Sequence, residues 1–113
     1  MKLLIVEDNL PMRRLIAQIV RRQGDVLVEC GDGAQAVAAY RELIPDWVLM
    51  DVEMPIMDGI TAARAIIADF PEAKIAIVTD HDNLPLREAA AEAGACEYIV
   101  KENLADLRRM LAH

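Results

Sequence analysis

The 113-residue sequence predicts an α/β domain built on a doubly wound parallel sheet. Three observations predict it. Five strand-like runs recur along the chain, at residues 3–6, 26–30, 47–50, 75–78 and 97–100. Each is followed by a segment whose apolar residues repeat at helical spacing. Most of the runs are too apolar to be half exposed, so helices must cover both faces of the sheet. Crossovers between such strands are right-handed.

Each element has its own signal. The run 3–6 stops at Glu7-Asp8-Asn9. Met12, Leu15, Ile16, Ile19 and Val20 then form a helical stripe, with Pro11 in the first turn and Gly24 closing the element. Val26, Val28 and Cys30 alternate with Leu27 and Glu29, which suits a strand near the sheet's edge. Residues 34–43 read as a helix with Val37, Tyr40, Leu43 and Ile44 inward, ended by Pro45. The run 47–50 is the central buried strand. Ile60, Ala63, Ile67 and Phe70 mark a third helix, stopped by Pro71. The run 75–78 leads into Thr79-Asp80. Leu86, Ala89, Ala90 and Ala93 share a face of a helix over 85–93, which Gly94 finishes. The run 97–100 ends in Lys101, and Leu104, Leu107 and Leu111 line a short last helix. No linker, low-complexity tract or further repeat interrupts this alternation, so residues 1–113 read as one domain.

Composition narrows the function. Apolar residues make up 55% of the chain but aromatics only 4%, which predicts an aliphatic core. No run reaches the roughly 20 apolar residues of a membrane span, and the short opening run leads into Glu7 and Asp8 rather than a signal peptide. Cys30 and Cys96 lie in strand-like segments without metal-site spacing, so a reduced, cytoplasmic chain is expected. The formal charge of −7 opposes direct nucleic-acid binding by this segment and suits either a divalent-cation site or a merely soluble surface.

The chemistry concentrates where strands end. In the stretch WVLMDVEMPIMDG, residues 47–59, a buried strand surfaces at Asp51, and Pro55 and Gly59 punctuate the loop behind it. A lone Asp there is commonly a turn former or a helix cap. The other strands change that reading. Strand 1 delivers Glu7 and Asp8, strand 4 Thr79 and strand 5 Lys101, and in a parallel sheet all these ends share the edge where ligands bind. Like charges about 4 Å apart repel by roughly 4 kcal/mol at an effective dielectric near 20. A hard cation relieves this, and oxygen-only ligands with room for water favour Mg²⁺, which commonly also takes phosphate oxygens. Lys101 adds a point charge for such a group and Thr79 a hydroxyl. An Asp held beside a metal can itself be the nucleophile, giving an acyl phosphate.

Glu7-Asp8 after LLIV, Asp51 in LMDVEMPIMDG, Thr79 after IAIV and Lys101 in YIVK form an ordered set. On this set, and over essentially its whole length, the chain resembles a response-regulator receiver domain of two-component signalling. The resemblance implies the flavodoxin-like (βα)5 fold with strand order 2-1-3-4-5. It implies that Asp51 accepts a phosphoryl group from a phosphohistidine on a sensor kinase or phosphotransfer protein. Asp8 and Asp51 would ligate Mg²⁺ directly, with the backbone carbonyl of Glu53 as third protein ligand and Glu7 acting through water. Lys101 would hold the acyl phosphate, Thr79 would swing toward it, and Tyr98 would be the switch aromatic that turns inward. Helix 4, strand 5 and helix 5 would form the surface that controls an output domain or partner, and the face used in any phosphorylation-dependent homodimer. Such a domain is a self-modifying switch rather than a turnover enzyme.

Departures from the family pattern carry expectations of their own. Glu7 stands where Asp is frequent. Asp80 follows Thr79 where a small residue is usual, and an added carboxylate there is expected to slow phosphorylation. Glu102 follows Lys101 in place of the frequent Pro, which disfavours a cis bond. The segment Lys-Glu-Asn-Leu is similar to receivers that precede helix-turn-helix output domains, so the chain reads as a possible excised part of a longer regulator.

Three features are decoys. Gly31-Asp-Gly33-Ala-Gln-Ala36 fits a dinucleotide fingerprint, but it follows the second strand and places Asp32 where a pyrophosphate would lie, so it reads as a turn and helix start. Asp58-Gly59 reads as a helix cap. His81 reads as an exposed loop histidine, placed to tune hydrolysis. Two rivals differ in class. An aspartate-nucleophile, Mg²⁺-dependent phosphatase of haloacid-dehalogenase type has the same groups, but with the nucleophile first in the chain. It also has an Asp where Glu53 stands. A degenerate receiver acting only through protein contacts would have lost Asp51, Lys101 or the acidic pair, and none is lost.

Overall fold

The structure is a computed structural model and describes residues 1–112. Its elements alternate along the chain: β1 (Lys2–Val6), α1 (Leu10–Val20), β2 (Val26–Cys30), α2 (Gly33–Leu43), β3 (Trp47–Met50), α3 (Gly59–Asp69), β4 (Ile75–Thr79), α4 (Leu84–Glu92), β5 (Glu97–Val100) and α5 (Asp106–Leu111), with a single 3₁₀ turn at Lys101–Asn103. The strands form one parallel sheet in the order β2-β1-β3-β4-β5, the expected doubly wound, flavodoxin-like arrangement.

Alternation along the strands sorts the core into two layers. Leu4, Val6, Val48, Met50, Ile75 and Ile77 point to one face and pack on α2, α3 and α4 through Ala36, Tyr40, Ala62, Ala63, Ile66 and Ala90. Leu3, Ile5, Leu49, Ala76, Val78 and Ile99 point the other way and meet Ile16, Ala17 and Val20 of α1 and Leu107 of α5. A period of 2 in the strands against 3.6 in the helices produces this layering. β1, β3 and β4 are buried on both faces, whereas β2 at the edge is half exposed, as its alternating sequence predicts. α4 is the exception among the longer helices: only Ala90 along its length is buried.

Four helices start the same way. The side chains of Asn9, Asp32, Asp58 and Asn83 accept from the backbone amides of Met12, Gln35, Thr61 and Leu86 at 2.8–2.9 Å, satisfying amides that a helix leaves unpaired. These caps settle two structural readings. Asn9 caps α1 and Asn83 caps α4, so Glu7, Asp8 and Thr79 are not spent as caps. Asp32 caps α2, and the Gly33 amide donates to the Met57 carbonyl at 3.0 Å, so the fingerprint-like segment is a helix start.

Some sequence expectations need correction. Leu15 is 42% exposed; the inward stripe of α1 runs through Ile16, Ala17 and Val20. Ile44 does not point inward. It caps α2 in the left-handed region at φ 44° and is exposed, its amide donating to the Tyr40 carbonyl, because the chain must reverse before Pro45. Cys96 precedes β5 and is exposed. No helix among the described residues is long and apolar enough to cross a membrane.

Gly59 opens α3 directly beneath Asp51. A Cβ there would lie 1.8 Å from the Asp51 carbonyl oxygen. Gly24, at φ +88°, has nothing within 4 Å of such an atom. The two positions separate steric exclusion from backbone strain. In denaturant titrations, Gly24→Ala is expected to cost about 1 kcal/mol from left-handed strain alone. Gly59→Ala should cost more than about 2 kcal/mol, because the Asp51 loop must move. Equal losses would contradict this packing.

Candidate functional site

The sheet register brings the acidic residues together. Val6 pairs with Met50, so Glu7 and Asp51 leave adjacent strands side by side. Backbone bonds hold both: the Glu7 amide donates to the Cys30 carbonyl at 3.0 Å and the Asp51 amide to the Val6 carbonyl at 2.9 Å. Thr79 is the last residue of β4, paired with Val100, and Lys101 follows directly. All four therefore meet at one edge of the sheet. They line a cleft of about 380 Å³ with Asp8, Glu53, Asp80 and His81.

Glu7, Asp51 and Thr79 are buried, while Asp8 and Glu53 are exposed. Lys101 reaches across the cleft, its Nζ 2.5 Å from Glu7 Oε1 and 3.5 Å from Asp51 Oδ2. Asp51 Oδ1 accepts from the Val52 amide at 2.8 Å and Glu7 Oε2 from the Asn9 amide at 3.1 Å. One carboxylate oxygen from each of Glu7, Asp8 and Asp51 falls within a 4.8 Å cluster. This all-oxygen, partly exposed donor set fits a hard divalent cation such as Mg²⁺. The Glu53 side chain pairs with His81 at the rim of the cleft, its Oε1 lying 2.6 Å from His81 Nε2.

Electrostatics express the crowding. Burial and then the neighbouring Glu7 charge push the Asp51 carboxyl up to about 7, against the pull of Lys101. Burial also works to raise Glu7. The Lys101 ammonium, the Asn9 amide and a hydrogen bond with Asp51 together hold it below its ordinary value. Burial works to lower Lys101, but its bond to Glu7 and the charges of Asp51, Glu7 and Asp80 hold it above the usual lysine range. Asp80 thus acts on the same ammonium as the other carboxylates.

A second set of contacts leads away from the cleft. Thr79 Oγ1 accepts from the His81 amide at 3.3 Å, and the Tyr98 hydroxyl donates to the His81 carbonyl at 2.6 Å. Arg87 stacks over the Tyr98 ring at 4.4 Å and bonds Asp82 at 2.8 Å. His81, read from sequence as an exposed loop residue, is exposed but central to these contacts; its pairing with Glu53 spans 28 residues and leaves no short-range signal. Sequence reasoning also passed over Arg13. Its Nη1 donates to the Glu7 carbonyl at 3.0 Å and its Nε to Glu29 Oε1 at 3.1 Å.

The raised Asp51 carboxyl makes stability depend on pH. An acid whose folded pKa lies above its unfolded value destabilises the fold increasingly as pH rises from that unfolded value to the folded one. For Asp51 the window runs from 3.8 to about 7. Glu7, shifted the other way, acts below its ordinary value of 4.5. In chelator-treated protein, Asp51→Asn should therefore be more stable than wild type at pH 8, by at most about 4 kcal/mol. The advantage should shrink toward pH 5. A pH-independent difference in urea midpoints would contradict the assigned burial.

With this geometry in view, comparison with known proteins is specific. The response regulator receiver domain pattern matches residues 3–112. The chain is 41% identical over 106 residues to the chemotaxis protein CheY of Bacillus subtilis, covering 93% of this chain and 88% of that protein. It is 39% identical over 101 residues to CheY of Thermotoga maritima, covering 88% and 84%. Among solved structures, a LuxR-family two-component response regulator from Aurantimonas sp. SI85-9A1 superposes with a TM-score of 0.89 at 34% identity, over 98% of this chain and 81% of that one. A CheX–CheY–BeF₃–Mg complex from Borrelia burgdorferi gives 0.89 at 28% identity, over 98% and 87%. Pattern, relatives, sheet order and acidic cleft agree: the chain belongs to the response regulator receiver domains of two-component signalling.

Proposed function

We propose that this chain, as one receiver domain, is a phosphoacceptor switch in which Asp51 takes a phosphoryl group from the phosphohistidine of a sensor kinase or phosphotransfer protein. The observation that carries this reading is the cleft itself. Glu7, Asp8 and Asp51 offer oxygens within 4.8 Å of one another, while the Lys101 ammonium stands 3.5 Å from Asp51. A cation and a phosphoryl anion thus both find counter-charges at the Asp51 carboxylate.

In the transfer, an Asp51 oxygen bonds to phosphorus as the P–N bond breaks, leaving its electron pair on the imidazole nitrogen of the donor. Bound Mg²⁺ supplies charge neutralisation, as in other phosphoryl transfers. Asp8 and Asp51 would hold it directly, the Glu53 carbonyl would complete the protein ligands, and Glu7 would act through water. Lys101 balances charge on the transferred oxygens, and Thr79 donates its hydroxyl to one of them. Hydrolysis of the acyl phosphate resets the switch, so the domain modifies itself and does not turn over substrate.

The switch reading has its own support. Thr79 and Tyr98 are joined through one residue, His81, by the two hydrogen bonds described above. A shift of Thr79 toward a phosphoryl oxygen is felt at Tyr98, and hence at α4, β5 and α5. Phosphorylation then biases an existing equilibrium of that surface toward an output domain, a partner or a second copy. The Borrelia burgdorferi CheX–CheY complex described above, which contains BeF₃ and magnesium, supports both the ion and the existence of protein partners.

Incubation with acetyl phosphate and Mg²⁺, followed by intact mass measurement, tests the proposal. Wild type is expected to gain one phosphoryl group that requires Mg²⁺ and is absent from Asp51→Asn. A folded, Mg²⁺-binding wild type that gains none would leave a domain acting through protein contacts alone. Asp80→Ala removes a carboxylate that lines the cleft and adds to the negative charge acting on Lys101, and should accelerate the reaction several-fold. An unchanged rate would show that Asp80 does not hinder the incoming anion.

A further inference from the structure

We infer that Arg13 is a positioning residue that aims Asp8 at the cation, an inference that rests on the proposed Mg²⁺-dependent function. Asp8 is an exposed carboxylate at a turn, and its direction is set by its two flanking peptide groups. The peptide before it is fixed at the Glu7 carbonyl, which accepts from Arg13 Nη1 at 3.0 Å. The peptide after it is fixed at the Asn9 amide, which donates to Glu7 Oε2 at 3.1 Å. Glu7 is itself locked by Lys101 and by its amide bond to Cys30.

Arg13 is held in turn. Its Nε bonds Glu29 of β2 at 3.1 Å, and this ion pair is only partly exposed. A Cβ at Gly31 would stand 3.5 Å from Nη1, so the guanidinium lies against glycine backbone at the end of the same strand. The planar fork spans from α1 to the edge strand and grips the turn between them. A guanidinium suits this task because its donors have fixed directions, which a lysine ammonium lacks.

Coulomb's law and positioning predict opposite outcomes. Deleting the Arg13 cation, which bonds the Glu7 carbonyl at the rim of the cleft, makes the surroundings more negative, which by charge alone should tighten Mg²⁺ binding. If Arg13 instead aims Asp8, its loss frees the turn and weakens binding. The neighbouring Arg14 is exposed and belongs to the same helix, so its deletion controls for the loss of one positive charge from that helix.

The test is calorimetric titration of Mg²⁺ into wild type, Arg13→Met, Arg13→Lys and Arg14→Met, with folding of each checked by thermal melts in chelator. Arg13→Met should weaken binding by 3- to 10-fold (about 0.7–1.4 kcal/mol). Arg13→Lys, which keeps the charge and loses the fork, should stay closer to Arg13→Met than to wild type. Arg14→Met should match wild type or bind slightly tighter. In the acetyl phosphate reaction, the Mg²⁺ concentration for half-maximal rate should rise by the same factor for Arg13→Met. The rate at saturating Mg²⁺ should stay within twofold of wild type, a separation that general damage to the fold would not produce. Unchanged or tighter binding by Arg13→Met, or full recovery by Arg13→Lys, would overturn the role of Arg13 while leaving the function intact. A wild type that binds no Mg²⁺ would overturn both.

Discussion

An unbalanced charge at the carboxyl edge of the sheet governs this molecule. Glu7 and Asp51 are buried side by side because β1 and β3 are neighbours, and Lys101 is the ammonium that reaches both. One cation beside two buried carboxylates leaves an excess of negative charge, and the exposed carboxylate of Asp8 completes an all-oxygen cluster suited to a hard cation. Buried ion pairs contribute little net stability once desolvation is counted. Their value here is electrostatic: burial and the Glu7 charge push the Asp51 carboxyl up to about 7, and under the proposed function a bound hard cation would favour its carboxylate form instead.

The backbone around Asp51 is correspondingly tight. Its carbonyl presses on Gly59, and the loop between them carries Ile56 at φ 69° with 85% of its surface exposed. A β-branched residue in the left-handed region costs on the order of 1–3 kcal/mol. That cost is borne by one short loop, pinned at each end by the Val6–Asp51 and Val52–Gly59 backbone bonds. The loop is therefore pinned at its base, at Asp51, and strained at the tip, where the chain turns back into α3.

Much of this was legible in the sequence, for identifiable reasons. Apolar runs ending in polar residues located four strands and alternation located the second, and the rule that parallel strands share one functional edge then placed Glu7, Asp8, Asp51, Thr79 and Lys101 together. Periodicity was less reliable at helix ends. Leu15 and Ile44 fit a stripe by spacing, but α1 rolls its buried face toward Ala17, and Ile44 is consumed by the reversal into Pro45. The long-range polar pairs were invisible. Arg13 with Glu29, and His81 with Glu53, join residues on different elements through side chains whose directions no local pattern encodes. Their discovery required the sheet order first, because only the fold sets β2 beside α1 and brings the loop after β4 over the loop after β3.

The way α4 is seated has a separate consequence. α2 brings Tyr40 and α3 brings Ile66 into their shared layer, large side chains that interlock with the strands, whereas α4 fully buries only Ala90 within its length and sets Leu86 against the margin of the core. A methyl group fills little volume and has no rotamers to mismatch, so a helix resting on alanine can roll or slide without opening a large cavity. α4 is thus restrained less by its seat than α2 and α3 are by Tyr40 and Ile66. Its position is then decided by edge contacts, among them Arg87 on Tyr98 and on Asp82. A small free energy delivered at one rim of the helix can consequently reorient the whole element, which makes α4 a lever with a loose pivot rather than a wedge.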